Sequence, residues 1–274
     1  MSMKTLFNAD WKFVKTPFGT KPEQLTEYQE KYKPVDVPHD FLIWDTLNLY
    51  ETSTGFYKKT FALKKEADKK YEIYFEGVYM DSKVYINGEL AGEWKYGYSS
   101  FGFDISALLS NGENTVLVQV DHHAPNSRWY SGAGIFRDVY LIVSPRECLT
   151  RDGIYVVSRK QGEDYLVQIE AEVEGFTTLP AAKAVLRHDK NVIKETIIRS
   201  AGRMGAYNGH PLLEGSMLVE KPLLWDHENP NLYTLEVILP NGDSEEVTIG
   251  FRDFVFNPAK GFFVNGKFVK LHGV

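Results

Sequence analysis

The chain has 274 residues, 43% of them apolar, with 31 Lys and Arg against 37 Asp and Glu for a formal charge of -6. That length suggests two domains, and the composition is that of an ordinary soluble globular protein with enough apolar residues for a core in each. The net negative charge and the scattered basic residues argue against nucleic acid as a partner, no apolar run is long enough to cross a bilayer, and the single Cys148 excludes an internal disulfide framework.

In chain order, the first eleven residues lack the apolar core of a signal peptide. The compartment is left open between cytoplasm and export with the signal removed. Leu25, Tyr28 and Tyr32 fall at helical spacing and predict one short surface helix over residues 21–32. Pro38-His39-Asp40 follows a short apolar run and reads as a loop anchor. Adjacency of His39 and Asp40 is no evidence for a catalytic triad, which is recognised by geometry. Residues 64–70 carry several lysines interrupted by Glu66 and Asp68, a solvated turn. Tyr71, Ile73 and Phe75 then alternate with Glu72, Tyr74 and Glu76, and Val116, Val118 and Val120 share one face. Period two with a polar opposite face predicts half-buried antiparallel strands. Between them, residues 104–109 predict a single helical turn.

Asp121-His122-His123 is where a metal site would be sought. In an extended segment the two imidazoles point to opposite faces, and no third ligand stands at a familiar spacing. Polar strand-end residues, with no metal, are expected. Ser131 beside Gly132 lacks the Gly-x-Ser-x-Gly context of a nucleophile elbow. A strand over residues 139–143 ends at Ser144-Pro145, where a boundary is expected, because Pro cannot continue a central ladder. Beyond it, Tyr165, Val167, Ile169, Ala171 and Val173 alternate with polar neighbours, and Tyr233, Leu235, Val237 and Leu239 repeat the pattern.

Asn-Gly pairs led by Asn87, Asn111, Asn208, Asn241 and Asn265 punctuate the short strands. That regularity indicates β-sandwiches. The all-β layout is a larger sandwich, a smaller one of the immunoglobulin-like size of about 100 residues, and an opening hairpin after a second boundary near Gly250. Asn265-Gly266 predicts a two-residue hairpin with positive φ at both turn positions. The run over residues 268–274 is apolar with no closing turn, so the chain reads as a piece of a longer protein.

Several phrases carry a resemblance. Residues 75–94, the following Gly97-Tyr-Ser-Ser-Phe-Gly-Phe-Asp-Ile105, Gly134-Ile-Phe-Arg-Asp-Val139, Leu224-Trp-Asp-His-Glu-Asn-Pro-Asn-Leu-Tyr233 and Gly250-Phe-Arg252 resemble landmarks of glycoside hydrolase family 2. That family comprises the β-galactosidases, β-glucuronidases and β-mannosidases, and the likeness covers essentially the whole chain. It implies a jelly-roll sugar-binding domain over 1–144 and an immunoglobulin-like β-sandwich over 145–250. Residues 251–274 would be the lead-in and first strand of an otherwise missing (β/α)8 (TIM) catalytic barrel. Family enzymes are retaining, with two carboxylates about 5–5.5 Å apart. The family's acid/base sits in an Asn-Glu pair on a later barrel strand, and this sequence has no Asn-Glu pair. The nucleophile lies further on. The resemblance therefore implies an inactive N-terminal part with no catalytic residue of its own.

The resemblance also implies where sugar is touched. In the family, the loop before Gly-Ile-x-Arg reaches over the barrel mouth. Several relatives carry an Asp six residues before that Gly, touching sugar or a cation, whereas here Arg128 reverses the charge. No cation or other cofactor is therefore carried over. Arg128 can donate paired hydrogen bonds to sugar hydroxyls or an acidic group, and Trp129 and Tyr130 can stack on a pyranose. The alternative is that Arg128 pairs with a barrel acid and the two aromatics fill an interface. Thr52, in Glu51-Thr-Ser-Thr-Gly-Phe-Tyr57, stands where some β-galactosidases carry Asn near the pocket. Arg137 and Asp138 are expected to form an ion pair or strand-end contacts, and Trp225 and Tyr233 to be core or packing residues of the second sandwich.

The leading expectation is the non-catalytic part of a β-galactosidase, sharing its carbohydrate substrate with the barrel, in a homo-oligomeric parent. The alternatives are a parent of β-glucuronidase or β-mannosidase specificity, a stand-alone carbohydrate-binding module, and an adhesion-type sandwich pair. An exposed apolar patch around Trp129, Tyr130 and residues 262–268 is expected to promote self-association.

Overall fold

The computed structural model describes residues 2–273 except Trp44, Asp45, residues 127–131 and Tyr207. It divides into two compact units, Met3–Ser144 and Pro145–Val274, with Ser2 belonging to the latter. Among the described residues no helix is long and apolar enough to cross a membrane.

The first unit is built from β1 (Met3–Leu6), β2 (Trp11–Pro17), β3 (Lys33–Val35), β4 (Ser53–Leu63), β5 (Lys69–Phe75) and β6 (Val78–Tyr79). It continues with β7 (Ser82–Ile86), β8 (Glu89–Trp94), β9 (Phe101–Asp104), β10 (Gly112–His122), β11 (Gly134–Ile135) and β12 (Val139–Pro145). A six-stranded sheet in the order β3-β2-β4-β10-β7-β8 lies against a four-stranded sheet, β1-β12-β5-β9, with β6 and β11 paired separately. The period-two faces meet between the sheets. Trp11, Tyr57, Val116, Val118 and Val120 from one, and Tyr71, Ile73, Phe75 and Leu141 from the other, form a single core. Each such side chain contributes about 1.5–3 kcal/mol by leaving water, and this is the main force joining the sheets. The jelly-roll expectation holds.

The predicted surface helix exists as a 3₁₀ helix, Pro22–Lys31. With three residues per turn, Leu25 and Tyr28 align on one side. They cover Val14 and Phe56 on the outer face of the six-stranded sheet. Residues 104–109 make the single turn expected, closed by Leu108 and Leu109 N–H groups donating to the Ile105 carbonyl at 3.0 and 3.2 Å.

The second unit contains β13 (Cys148–Gln161), β14 (Asp164–Glu174), β15 (Ala182–His188), β16 (Asn191–Met204), β17 (Pro211–Val219), β18 (Tyr233–Ile238) and β19 (Ser244–Ile249). They run in the order β13-β14-β17-β16-β15-β18-β19. β16 pairs with β15 through Ile198 and with β17 from Arg199, so the ladder folds over into an immunoglobulin-like sandwich. Its core takes Tyr165, Val167, Ile169, Ala171 and Val173 from β14, and Tyr233, Leu235 and Val237 from β18. One residue of the polar face departs from the pattern. Glu172 is buried, and both its oxygens accept the Asn208 N–H, at 3.2 and 3.0 Å.

β20 (Phe254–Asn257), β21 (Gly261–Val264) and β22 (Lys267–Val269) form a separate antiparallel sheet. Asn265 and Gly266 have φ of 49° and 78°, and Val264 pairs with Lys267 across them, as Asn-Gly predicts. The terminal run, expected as one strand from Phe268, is strand only to Val269 and pairs antiparallel with β21. Of the two residues expected to be core or packing, Trp225 is half-buried and lies beneath the Arg252 guanidinium, 4.8 Å from the ring centroid, whereas Tyr233 is core.

Candidate functional site

Three of the four residues expected to touch sugar, Arg128, Trp129 and Tyr130, lie outside the described residues. What the structure does describe is the frame that holds the two feet of their loop. Because β4 and β10 are antiparallel, the start of one and the end of the other meet: Thr54 faces Asp121, and Ser53 faces His122. The loop leaves from the end of β10 and returns into β11.

Its outgoing foot is fixed by Thr52, just ahead of β4. The Thr52 hydroxyl accepts the Ala124 N–H at 3.1 Å and donates to the Ala124 carbonyl at 3.2 Å. The proton of the hydroxyl is thereby committed, so Thr52 has only acceptor capacity left for a ligand. His122 Nδ1 lies 2.6 Å from the Glu51 carbonyl oxygen and must carry the proton it donates there, which leaves Nε2 as the acceptor in the neutral ring. Asn126 Nδ2 sits 3.5 Å from that Nε2 and donates to the His123 carbonyl at 2.6 Å. The His123 ring instead meets Phe18, centroids 4.4 Å apart, so the two imidazoles engage different surroundings.

Beneath this foot lies a buried polar cluster that sequence reasoning missed. Thr54 Oγ1 donates to Asp121 Oδ1 at 2.6 Å, and Gln119 Nε2 donates to Oδ2 at 2.9 Å. Gly19 N–H in turn donates to Thr54 Oγ1 at 3.1 Å. Hydrogen bonds to a carboxylate are worth roughly 1.5–3 kcal/mol each, so the cluster ties β4 and the turn at Gly19 to the end of β10. The available signal was Asp121 directly after the Val116, Val118, Val120 alternation, where a buried carboxylate needs donors opposite it.

The returning foot is held by Pro38-His39-Asp40, which does act as a loop anchor. His39 N–H donates to the Ile135 carbonyl at 2.7 Å, and Phe41 N–H to that of Ala133 at 2.9 Å. Asp40 Oδ1 accepts the N–H groups of Leu42 and Ala133 at 2.9 and 3.2 Å. His39 Nδ1 lies 2.8 Å from Tyr57 Oη, whose hydroxyl reaches the His39 carbonyl at 3.2 Å. A proton on Nδ1 donated to Tyr57, and the Tyr57 proton donated back, satisfies both. Burial, opposed by Asp40, lowers the His39 pKa, and burial pushes the Tyr57 hydroxyl well above its usual value, so both groups are neutral near pH 7. Gly134, with φ of 136°, passes so close that a Cβ would stand 2.3 Å from the His39 carbonyl oxygen and 2.4 Å from Tyr57 Oη.

Arg137 and Asp138 do not pair. Arg137 lies over the Phe136 ring at 5.5 Å, while Asp138 accepts Asn8 Nδ2 at 2.8 Å and the Tyr140 hydroxyl at 3.2 Å, a strand-end role. Among the described residues no group of three or more His, Cys, Asp or Glu side chains could hold a metal ion. The arrangement is a clamp that holds the two feet of the loop to the sandwich.

Two family models match the chain in tandem. Glycosyl hydrolases family 2, sugar binding domain, matches residues 23–145, and glycosyl hydrolases family 2 matches residues 152–252. A beta-galactosidase of Bacteroides ovatus is 33% identical over 290 residues, covering 98% of this chain and 34% of the relative. A putative beta-glucuronidase of Formosa agariphila is 32% identical over 294 residues, covering 99% of this chain and 27% of the relative. The crystal structure of a beta-glycosidase from Bacteroides vulgatus superposes with a TM-score of 0.82 at 31% identity, covering 99% of this chain and 37% of that one. The chain thus spans only 34% and 27% of the length of these two curated relatives.

Proposed function

We infer that this chain, which belongs to glycosyl hydrolase family 2, is the part of a retaining β-glycosidase that precedes the catalytic barrel, with terminal β-galactosides as its substrates. The observation that carries this reading is the tandem order of the two family matches, residues 23–145 and then 152–252, on a chain with no Asn-Glu pair. In a retaining glycosidase one carboxylic acid protonates the leaving oxygen while a second carboxylate forms the glycosyl-enzyme. Both belong to the barrel. The chain's own contribution is the clamped loop, which brings Arg128, Trp129 and Tyr130 to one wall of the pocket, with Thr52 holding its base.

β-Galactoside specificity is supported by the Bacteroides ovatus relative. A second reading, a β-glucuronoside substrate, is favoured by Arg128 standing where several relatives carry an acid, since a guanidinium suits a carboxylate. The Formosa agariphila relatives named as putative beta-glucuronidases support it as well.

The test compares the purified chain with its full-length parent on nitrophenyl β-galactoside and β-glucuronide. The chain alone should give no turnover, and the parent should hydrolyse the galactoside. Dose-dependent hydrolysis by the chain alone overturns the non-catalytic assignment. Hydrolysis of the glucuronide alone, with a raised KM in Arg128→Ala, replaces the first specificity with the second.

A further inference from the structure

The outer face of the six-stranded sheet is only partly covered. Along β2 and β4 the paired residues pass from Val14 and Phe56, which lie under the 3₁₀ helix, to Lys12 and Lys58, with Asp10 just ahead of β2 and Thr60 further along β4. Where the helix stops, the sheet and the helix end enclose a cleft of about 500 Å³. It is lined by Asp10, Lys12, Gln29, Tyr32, Lys58 and Thr60.

Lys12 and Lys58 are directly opposite each other on adjacent strands. Like charges in that relation repel and destabilise the pair. Among the described residues neither ammonium has a carboxylate within salt-bridge distance, although other lysines do, such as Lys15 with Glu51 at 2.6 Å. An anion placed between them would replace that repulsion with two charge-assisted hydrogen bonds. The rest of the lining suits hydroxyls. Gln29 Nε2 donates to the Leu25 carbonyl at 3.2 Å, which leaves its amide oxygen as an acceptor. Thr60 offers both roles, Asp10 accepts, and the Tyr32 hydroxyl, its pKa pushed up to about 12 by burial, stays a donor through the neutral range. A cleft of this volume is in the range of small organic ligands and larger than a bare ion needs.

We propose that this cleft is a second saccharide site, in which Lys12 and Lys58 hold the oxyanion substituent, carboxylate or sulfate, of an acidic glycan. It rests on the reading of the parent as a glycosidase, and its two lysines lie further along the sheet than Thr54 and Asp121, which lie beneath the outgoing foot of the clamped loop. It would retain an acidic polymer while a terminal sugar is removed elsewhere.

The test is an NMR titration of the ¹⁵N-labelled chain with four probes. These are a β-linked uronate disaccharide, a sulfate ester of the corresponding neutral disaccharide, that neutral disaccharide itself, and sodium sulfate. The uronate, the sulfate ester or both should shift amides around Lys12, Lys58 and Tyr32, with the neutral sugar at least about tenfold weaker. The response of one or the other acidic probe identifies the source of the oxyanion. Lys12→Gln with Lys58→Gln should weaken that binding by a similar factor, leaving distant amides unchanged. Equal binding of the neutral sugar, undiminished binding by the double variant, or no shift with any saccharide overturns the proposal. Sodium sulfate binding as well as the disaccharides also overturns it, leaving a bare anion patch. The proposal gives the cleft no part in hydrolysis of a small nitrophenyl glycoside by the parent, which should survive the double substitution. Its failure in the unmodified parent would undo the glycosidase reading and leave the titration to decide this one.

Discussion

At the scale of single residues, the carboxyl with the largest displacement from its ordinary value is Glu245 on β19. Burial chiefly, then the neighbouring Asp152 and Asp243, push it up to about 7, against the opposing pull of the Asp152 N–H and Arg151. The folded pKa lies above the ordinary 4.5, so the fold favours the protonated form. The associated stability is complete below about pH 4.5 and is lost as pH rises through about 7. Discounted for partial solvent exposure, the loss between pH 5 and 8 should be about 1–2 kcal/mol. Glu245→Gln should flatten that part of the profile, measured by urea unfolding at both pH values. An unchanged difference between pH 5 and pH 8 in the variant would refute the assignment. Nothing in the sequence announced this carboxyl, because Asp152 reaches it from a different strand. The same holds for Glu172, whose position on the polar face of β14 predicted exposure. Its burial comes from Gly205 and Asn208 lying against its carboxylate.

At the scale of elements, the period-two alternations translated directly into strands, because a half-buried sheet needs only that pattern. Asn265-Gly266 and Asn87-Gly88 likewise became two-residue turns with positive φ at both positions. The two-residue strands β6 and β11 were illegible, being too short to show a period. Trp225 looked like core by type, yet Arg252 covers its ring in a partly open cleft, which no local pattern encodes. The loop clamp was half legible. Pro38-His39-Asp40 and Glu51-Thr52 stood out as segments, but their common purpose depends on β4 and β10 bringing distant residues to one end. Gly134 tests that clamp. A methyl group there meets both the His39 carbonyl and Tyr57 Oη, so Gly134→Ala should cost about 2–4 kcal/mol in denaturant unfolding. A loss below about 0.5 kcal/mol, the scale of ordinary surface substitutions, would mean that the returning foot yields and the clamp is not rigid.

At the scale of the whole molecule, the sheet of β20 to β22 presents Phe254, Phe256, Phe268 and Leu271, each more than half exposed. Phe254, Phe256 and Leu271 line an apolar cleft of about 350 Å³ together with Trp225, Phe262 and Val269. Exposed apolar surface on this scale favours association. Sedimentation should show concentration-dependent self-association of the isolated chain, reduced by Phe256→Ser with Phe268→Ser. A monodisperse monomer at high concentration would count against it. Part of the patch was foreseen from residues 262–268, whereas its extension to Phe254 and Leu271 follows from the antiparallel meander that sets β20 beside β21.

The two feet of the clamped loop belong to the sandwich, through Thr52, His122, His39 and Tyr57. Such a loop is an exchangeable cassette. If the loop walls the pocket as proposed, insertions and substitutions between residues 127 and 131 would alter what that wall recognises while the anchors of its two feet stay in place. One sandwich would in this way serve parents that differ in the sugar they take, and loop grafting between relatives would change specificity directly.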